Sequence, residues 1–244
     1  MTPGPVVRAA DVRAERTASG VRVRTMLEAG QPGSRFTRRL VEIPPGGGLD
    51  GAAGPAGELW FVIGGRGRLD AAGQAGLPLS PGCGLWLPPG VNFAFNGAGP
   101  AGLRLDSVTL PGTAAGPPPG QQPDPSLPRV RDLADCDVER TGDRQFRVLF
   151  GPGRGCAAAT QFVGEIPPGR APEHSHPYDE MVLVLAGRGV LHAGGAAHEV
   201  SAGSCAHLPP RLAHCLENTG TATMAVLGVF HPADSPAAKT GTGS

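Results

Sequence analysis

The stretch HSHPYDE, residues 174–180, gathers two of the chain's seven histidines, its only tyrosine and a glutamate, although charged residues make up only 17% of the chain and aromatics 5%. His174 and His176 stand two apart, so on an extended strand both imidazoles face one side. Glu180 follows in the next extended stretch, beyond a turn at Pro177, and His214 can reach the same point from another strand. Three imidazoles and one carboxylate form an N/O donor set of intermediate hardness, suited to Fe, Mn, Ni, Co, Cu or Zn. Such a set on a six-coordinate ion leaves two neighbouring positions for water, dioxygen or a bidentate substrate. Each imidazole must present a neutral nitrogen to the metal, which requires an acceptor for the other ring nitrogen.

Other polar residues cluster near these four. Tyr178 lies among the candidate ligands, and its phenol can donate to a bound substrate; the alternative is a surface loop aromatic. Arg170 and Arg211 flank the ligand stretches and can pair with an acidic substrate, or else face solvent. Gln161, Val163 and Glu165 alternate along a run leading toward the site, so an inward orientation makes Gln161 a polar wall.

Short strands must position these groups. Runs such as RQFRVLF, ATQFVGEI, EMVLVLAG and TMAVLGVF are brief and are cut by glycine and proline, with 39 Gly and 27 Pro in 244 residues. Helix interiors disfavour both residues, and many short strands separated by turn signals point to an all-β sandwich or barrel of jelly-roll type. The chain also repeats itself. LVEIPPG at 40–46, ELWFVIGGRGRL at 58–69 and GCGLWLPPG at 82–90 return as FVGEIPPG at 162–169, EMVLVLAGRGVL at 180–191 and GSCAHLPPR at 203–211. The return comes about 120 residues later, with single-residue length changes that hairpin loops tolerate. This divides the chain into a flexible lead over 1–20, a first domain over 21–110, a Pro/Gly-rich linker over 111–130, a second domain over 131–231 and a flexible tail over 232–244. In the repeat, Glu58 matches Glu180, but Ala52, Gly54 and Phe93 stand where the second half has His174, His176 and His214. The first domain therefore lacks a transition-metal site, and Trp60, Trp86, Phe93 and Phe95 fill its interior. His207 stands where the first half has Trp86, and it either fills space or supplies a proton.

The full spaced pattern over 169–218, with glycines and a proline in register around His174, His176, Glu180 and His214, resembles the two-part signature of the cupin superfamily. One departure is Arg211, where a glycine is usual. The resemblance covers about residues 21–231 as two tandem jelly-roll (cupin) β-barrels. It implies that His174, His176, Glu180 and His214 bind one divalent transition metal per chain, Fe or Mn being favoured. It also implies a metal-dependent enzyme for a small chelating acid, of dioxygenase or isomerase type, with Tyr178, His207 and Gln161 as catalytic candidates and Arg170 and Arg211 as substrate-binding ones. Quercetin dioxygenase, oxalate decarboxylases, a bacilysin-pathway isomerase and ureidoglycine aminohydrolases share the two-cupin layout. The last use an upstream Glu and a later Gln, unlike the His, His, Glu, His order here. A hydrolase of that kind and a non-catalytic sugar- or acid-binding cupin are the alternatives. Two-fold association through strand pairing, common in the superfamily, implies a homodimer.

Bulk properties narrow the function classes. The 21 basic and 21 acidic residues cancel, which gives no steering toward nucleic acid, although the first forty residues hold eight arginines against three acids. No apolar run approaches a membrane span. No P-loop, HExxH, GxSxG or dinucleotide fingerprint appears, and Lys239 is the only lysine, which disfavours Schiff-base chemistry. Five cysteines without a CxxC fit buried free thiols in a reducing, cytoplasmic setting.

Overall fold

Runs of five to eight residues between glycine and proline are too short for stable helices, and RQFRVLF and DEMVLVLA become the strands Arg144–Phe150 and Asp179–Ala186. The computed structural model describes residues 6–30, 35–112 and 128–236. Among the described residues there is no α-helix, only two short 3-10 turns at Ala9–Asp11 and Leu133–Asp135. Among these residues no helix is long and apolar enough to cross a membrane.

The described residues divide into two units, each built of a seven-stranded and a four-stranded antiparallel sheet. Residues 12–135 with 153–157 form the N-terminal unit; 136–152 and 158 onward, joined by the residues up to Asp11, form the C-terminal unit. In the C-terminal unit the larger sheet runs in the order Val6–Arg8, Ser204–Leu208, Asp179–Ala186, Met224–His231, Thr160–Ile166, Arg144–Phe150, Glu139–Thr141. Its smaller sheet runs Gly169–Arg170, His214–Asn218, Arg188–Ala193, Ala196–Ser201. The N-terminal unit repeats this plan. Its larger sheet centres on Glu58–Gly65 between Cys83–Leu87 and Leu103–Thr109, and its smaller sheet carries Asn92–Asn96.

Alternation along each strand decides which side chains enter the core. In the C-terminal unit Val182, Val184, Ala206, Leu208, Met224 and Val226 of one sheet meet Leu191, Ala193 and Val200 of the other in one buried cluster. In the N-terminal unit the equivalent cluster is continuous and includes Trp60, Phe93 and Phe95, whose ring centroids lie 4.9–5.4 Å apart. These three rings fill the interior. Trp86 does not join them: it pairs with Leu59, one residue out of phase with Trp60, and so lies on the opposite face.

Structure begins earlier than a flexible lead over 1–20 allows. Val6–Arg8 pairs with Ser204–Leu208, setting Val6 opposite Ala206 and Val7 opposite Cys205, and Val6 packs against the C-terminal core. Glu15–Arg16 pairs with Arg22–Leu27. The apolar Val6 gains by covering an otherwise open sheet edge, a long-range pairing with no local signature. At the other boundary Arg129–Asp132 pairs with Cys83–Leu87, so the chain's first strand serves the C-terminal unit and the strand after the linker serves the N-terminal one. Most of the expected linker, 113–127, lies outside the described residues, as does the tail beyond 236. The start of that tail is tied down: Ala233 N donates to Ala158 O at 3.0 Å and Thr160 Oγ1 to Asp234 O at 2.8 Å.

Removing residues 1–8 uncovers the edge of the Ser204–Leu208 strand and exposes the core beneath Val6. The expected cost is about 2 kcal/mol of stability, read by urea unfolding of the truncated and full-length chains. An unchanged midpoint would show that the first strand contributes nothing to the sheet.

Candidate metal centre

The segment carrying His174 and His176 is extended but too irregular for a full strand. It is held to the His214–Asn218 strand by single backbone bonds. Ala171 N donates to Leu216 O at 3.2 Å, His174 N to His214 O at 3.0 Å and His214 N to His174 O at 2.8 Å. Residues directly opposite in an antiparallel pair present their side chains on one face. The His174 and His214 rings accordingly lie 4.5 Å apart between centroids. His176, two residues on, keeps that face, with its ring 4.8 Å from His174 and 5.3 Å from His214. Its own carbonyl accepts a 2.6 Å bond from Arg211 N. Arg211 adopts φ 67°, a left-handed conformation that explains why glycine suits this position.

Glu180 arrives from the other sheet, near the start of Asp179–Ala186, on the face it shares with Leu208 and Phe230. Its Oε2 lies 3.1 Å from His214 Nε2 and 3.5 Å from His176 Nε2. The donor nitrogens of His174, His176 and His214 all lie within 4.8 Å of one another. The outward nitrogens are already engaged. His174 Nδ1 bonds the Pro172 carbonyl at 3.1 Å and His214 Nδ1 the Leu212 carbonyl at 2.8 Å. A carbonyl only accepts, so each Nδ1 carries the proton and each Nε2 turns its lone pair inward. His176 Nδ1 meets the Tyr178 hydroxyl at 3.0 Å, and the two rings stack at 4.8 Å and 12°. Two imidazoles whose carbonyl partners place a proton on Nδ1, a third partnered by a hydroxyl, and one carboxylate suit a divalent transition ion of the N/O-loving class.

Electrostatics agrees with this. Burial holds His176 down to about 4, so it is neutral at physiological pH. Burial lowers His174 as well, against its bond to Pro172. Burial also disfavours charge on His214, but the hydrogen bond to Glu180 and that carboxylate's charge outweigh it and raise the ring's pKa. Burial alone would raise Glu180; the neighbouring imidazoles, His214 foremost, bring it below the usual carboxylate value. Burial pushes the Tyr178 phenol up, helped by Asp234 and Glu180, so it stays protonated.

Several expected participants are placed elsewhere. Tyr178 is buried behind His176, on the side away from Nε2, so it orients a ligand and does not reach the mouth of the site. Gln161 pairs opposite Val229, and His207 opposite Met181. Strand alternation puts both on the face of the large sheet away from Glu180, where His207 bonds Asp179 at 2.9 Å. Arg170 is exposed and pairs opposite Glu217, on the side of the small sheet away from His214. The Arg211 side chain is also exposed; its contribution is the backbone bond to His176. In the N-terminal unit Glu58 is satisfied by hydrogen bonds: its carboxylate accepts from Trp60 Nε1, Thr109 Oγ1 and Gly54 N at 2.9, 3.0 and 3.2 Å.

Residues that sequence reasoning passed over complete the surroundings. Phe146, Phe162 and Phe230 form an aromatic wall with Tyr178, and the Phe230 ring lies 5.5 Å from that of His176. Arg144 shares their strand face. The signal was present: within RQFRVLF, period two groups Arg144 with Phe146 and Val148, and the internal repeat sets Arg144 against Val21, a fully buried core residue.

Comparison with known proteins places this geometry. Residues 162–230 match the family described as "Cupin domain". No curated protein matches the chain in sequence. Among solved structures, the protein Ylba of E. coli superposes with a TM-score of 0.76 at 14% identity, over 93% of this chain and 89% of that one. A deletion mutant of oxalate decarboxylase from Bacillus subtilis superposes with a TM-score of 0.76 at 15% identity, over 96% of this chain and 78% of that one.

Tyr178→Phe removes the acceptor for His176 Nδ1–H and is expected to weaken metal binding about 10-fold, measured by competition with a chelator. Metal affinity is also expected to fall as the pH drops. The proton on His214 is held more tightly than on an ordinary imidazole and must leave before Nε2 can ligate. Competition titrations across pH 5–8 check this, and a pH-independent affinity would remove His214 from the donor set.

Proposed function

We propose, from the premise that residues 162–230 are a cupin domain within a chain of cupin-superfamily fold, that the protein is a metal-dependent enzyme of two tandem jelly-roll barrels. In this reading the enzyme acts on a small chelating acid by dioxygenase- or isomerase-type chemistry, which a single metal held by the C-terminal domain would supply. One observation carries the reading: Nε2 of His174, His176 and His214 converge with the Glu180 carboxylate, while the outward nitrogens are held by Pro172, Leu212 and Tyr178. A bound Fe or Mn ion would supply Lewis-acid polarisation or dioxygen binding. The protein side chains prepare the site for it. Glu180 contributes the one negative charge among the four donors, and protonated Tyr178 holds the His176 ring in plane. Phe146, Phe162 and Phe230 keep one wall apolar, which strengthens electrostatic contacts beside it.

The N-terminal unit supports one metal per chain, since its carboxylate is saturated and aromatic rings fill its interior. All five cysteines are buried, and buried thiols suit a reducing, cytoplasmic setting. The reading extends to a homodimer, which light scattering tests.

Anaerobically purified protein is expected to hold about one transition-metal ion per chain, lost when His174, His176 and His214 are replaced together by alanine. Small 2-oxo and 2-hydroxy acids should then be consumed or rearranged only by the metal-loaded wild type, followed by oxygen uptake and by NMR of the product mixture. A metal-loaded protein that binds such acids and returns them unchanged would instead be a binding module.

A further inference from the structure

The donor set leaves one charged, inward-facing side chain without a role. Arg144 begins the strand Arg144–Phe150 and lies on the Phe146 and Val148 face, which meets the aromatic wall of the site. Its Nη2 donates to the Leu216 carbonyl at 3.1 Å. Leu216 is two residues from His214 on the same strand, and its carbonyl also takes the Ala171 N–H that pins the His174 segment. The guanidinium is therefore moored to the strand that carries His214, at a carbonyl shared with the His174 segment. The charge of the neighbouring Asp143 acts on it first, and those of Glu180 and His174 also reach it. It is half-buried.

We propose that Arg144 receives the carboxylate of the substrate, a small 2-oxo or 2-hydroxy acid whose adjacent oxygen is directed to the metal position. This rests on the metal-centre reading above and names the substrate class for it. A guanidinium carries five N–H donors in a planar fork matched to a carboxylate, and a single bond to Leu216 leaves most of that fork for a ligand.

Charge balance points the same way. A divalent ion and Arg144 together carry three positive charges; among the four donors only Glu180 is negative, and Asp143 offsets part of the charge on Arg144. An anion between Arg144 and the ion relieves their mutual repulsion in a half-buried site. A carboxylate with an oxygen on the next carbon spans two such groups, and the aromatic wall of Phe146, Phe162 and Phe230 suits an apolar remainder. The internal repeat acts as a control. The unit without ligands has fully buried Val21 at this position, so the arginine accompanies the imidazoles. Arg170 pairs opposite Glu217, on the side away from His214, and the Arg211 side chain is exposed.

The test uses full-length protein loaded with manganese, pyruvate as the probe and methyl pyruvate as its uncharged control, with affinities from calorimetry and metal content from elemental analysis. Arg144→Gln is expected to keep its metal and to bind pyruvate about 10- to 100-fold more weakly, the loss typical of a charge-assisted bond. Methyl pyruvate binding should not change. Arg144→Lys, which keeps the charge without the fork, should fall between, and it serves if the glutamine variant does not fold. Arg170→Gln should match the wild type. Metal-loaded Arg144→Gln that binds pyruvate as tightly as the wild type overturns the assignment of Arg144 while leaving the metal centre intact. So does metal-loaded wild type that binds pyruvate no better than its methyl ester. Wild type that takes up no manganese overturns both.

Discussion

The centre depends on one backbone pairing, the antiparallel bridge between His174 and His214. Two hydrogen bonds of 3.0 and 2.8 Å fix the residues opposite one another, and that geometry alone sends both imidazoles to the same side. Everything else refines this contact. The Arg211 amide holds the His176 carbonyl at 2.6 Å, at the cost of a left-handed backbone on a residue with a Cβ, a strain of about 1 kcal/mol. The Pro172 and Leu212 carbonyls, each two residues before a ligand histidine, set the ring tautomers. The positioning is therefore done largely by main chain, which is stiffer than a network of side chains.

The two units show what one sheet plan does with different interiors. In the N-terminal unit Phe93 takes the place of His214 and joins Trp60 and Phe95 in a continuous apolar core. Glu58, the surviving carboxylate, loses little by burial because three donors satisfy it. In the C-terminal unit the buried apolar residues that share a face with the donors form separate clusters, one around Val182 and Val226 and one around Phe162 and Phe230. Glu180 there has imidazole partners, so its charge is available to a cation. Residues with no metal role still hold the frame: Asn218 donates to the Ile166 and Ala222 carbonyls at 2.9 and 2.8 Å and fixes the end of the ligand strand.

Much of this was legible before any coordinates. Glycine and proline spacing marked the strands, the repeat marked the two halves, and HSH with a later glutamate and histidine marked the donors, because period two constrains neighbours whatever the fold. Alternation also placed Gln161, Val163 and Glu165 together on one face. It could not say which face turns inward, since both sides of that strand are apolar enough to be buried, Phe162 at 7% exposure and Val163 at 4%. Gln161 and His207 were therefore assigned to the wrong side, and Arg144 was overlooked. The edge pairing of Val6–Arg8 with Ser204–Leu208 was equally invisible, because it joins segments from opposite ends of the chain. By itself the sequence determined the strands, the repeat and the shared face of His174 and His176, all consequences of local period and residue chemistry. Tertiary structure alone decided which face of each strand meets the site and which distant segment closes each sheet, because those choices depend on pairing partners remote along the chain.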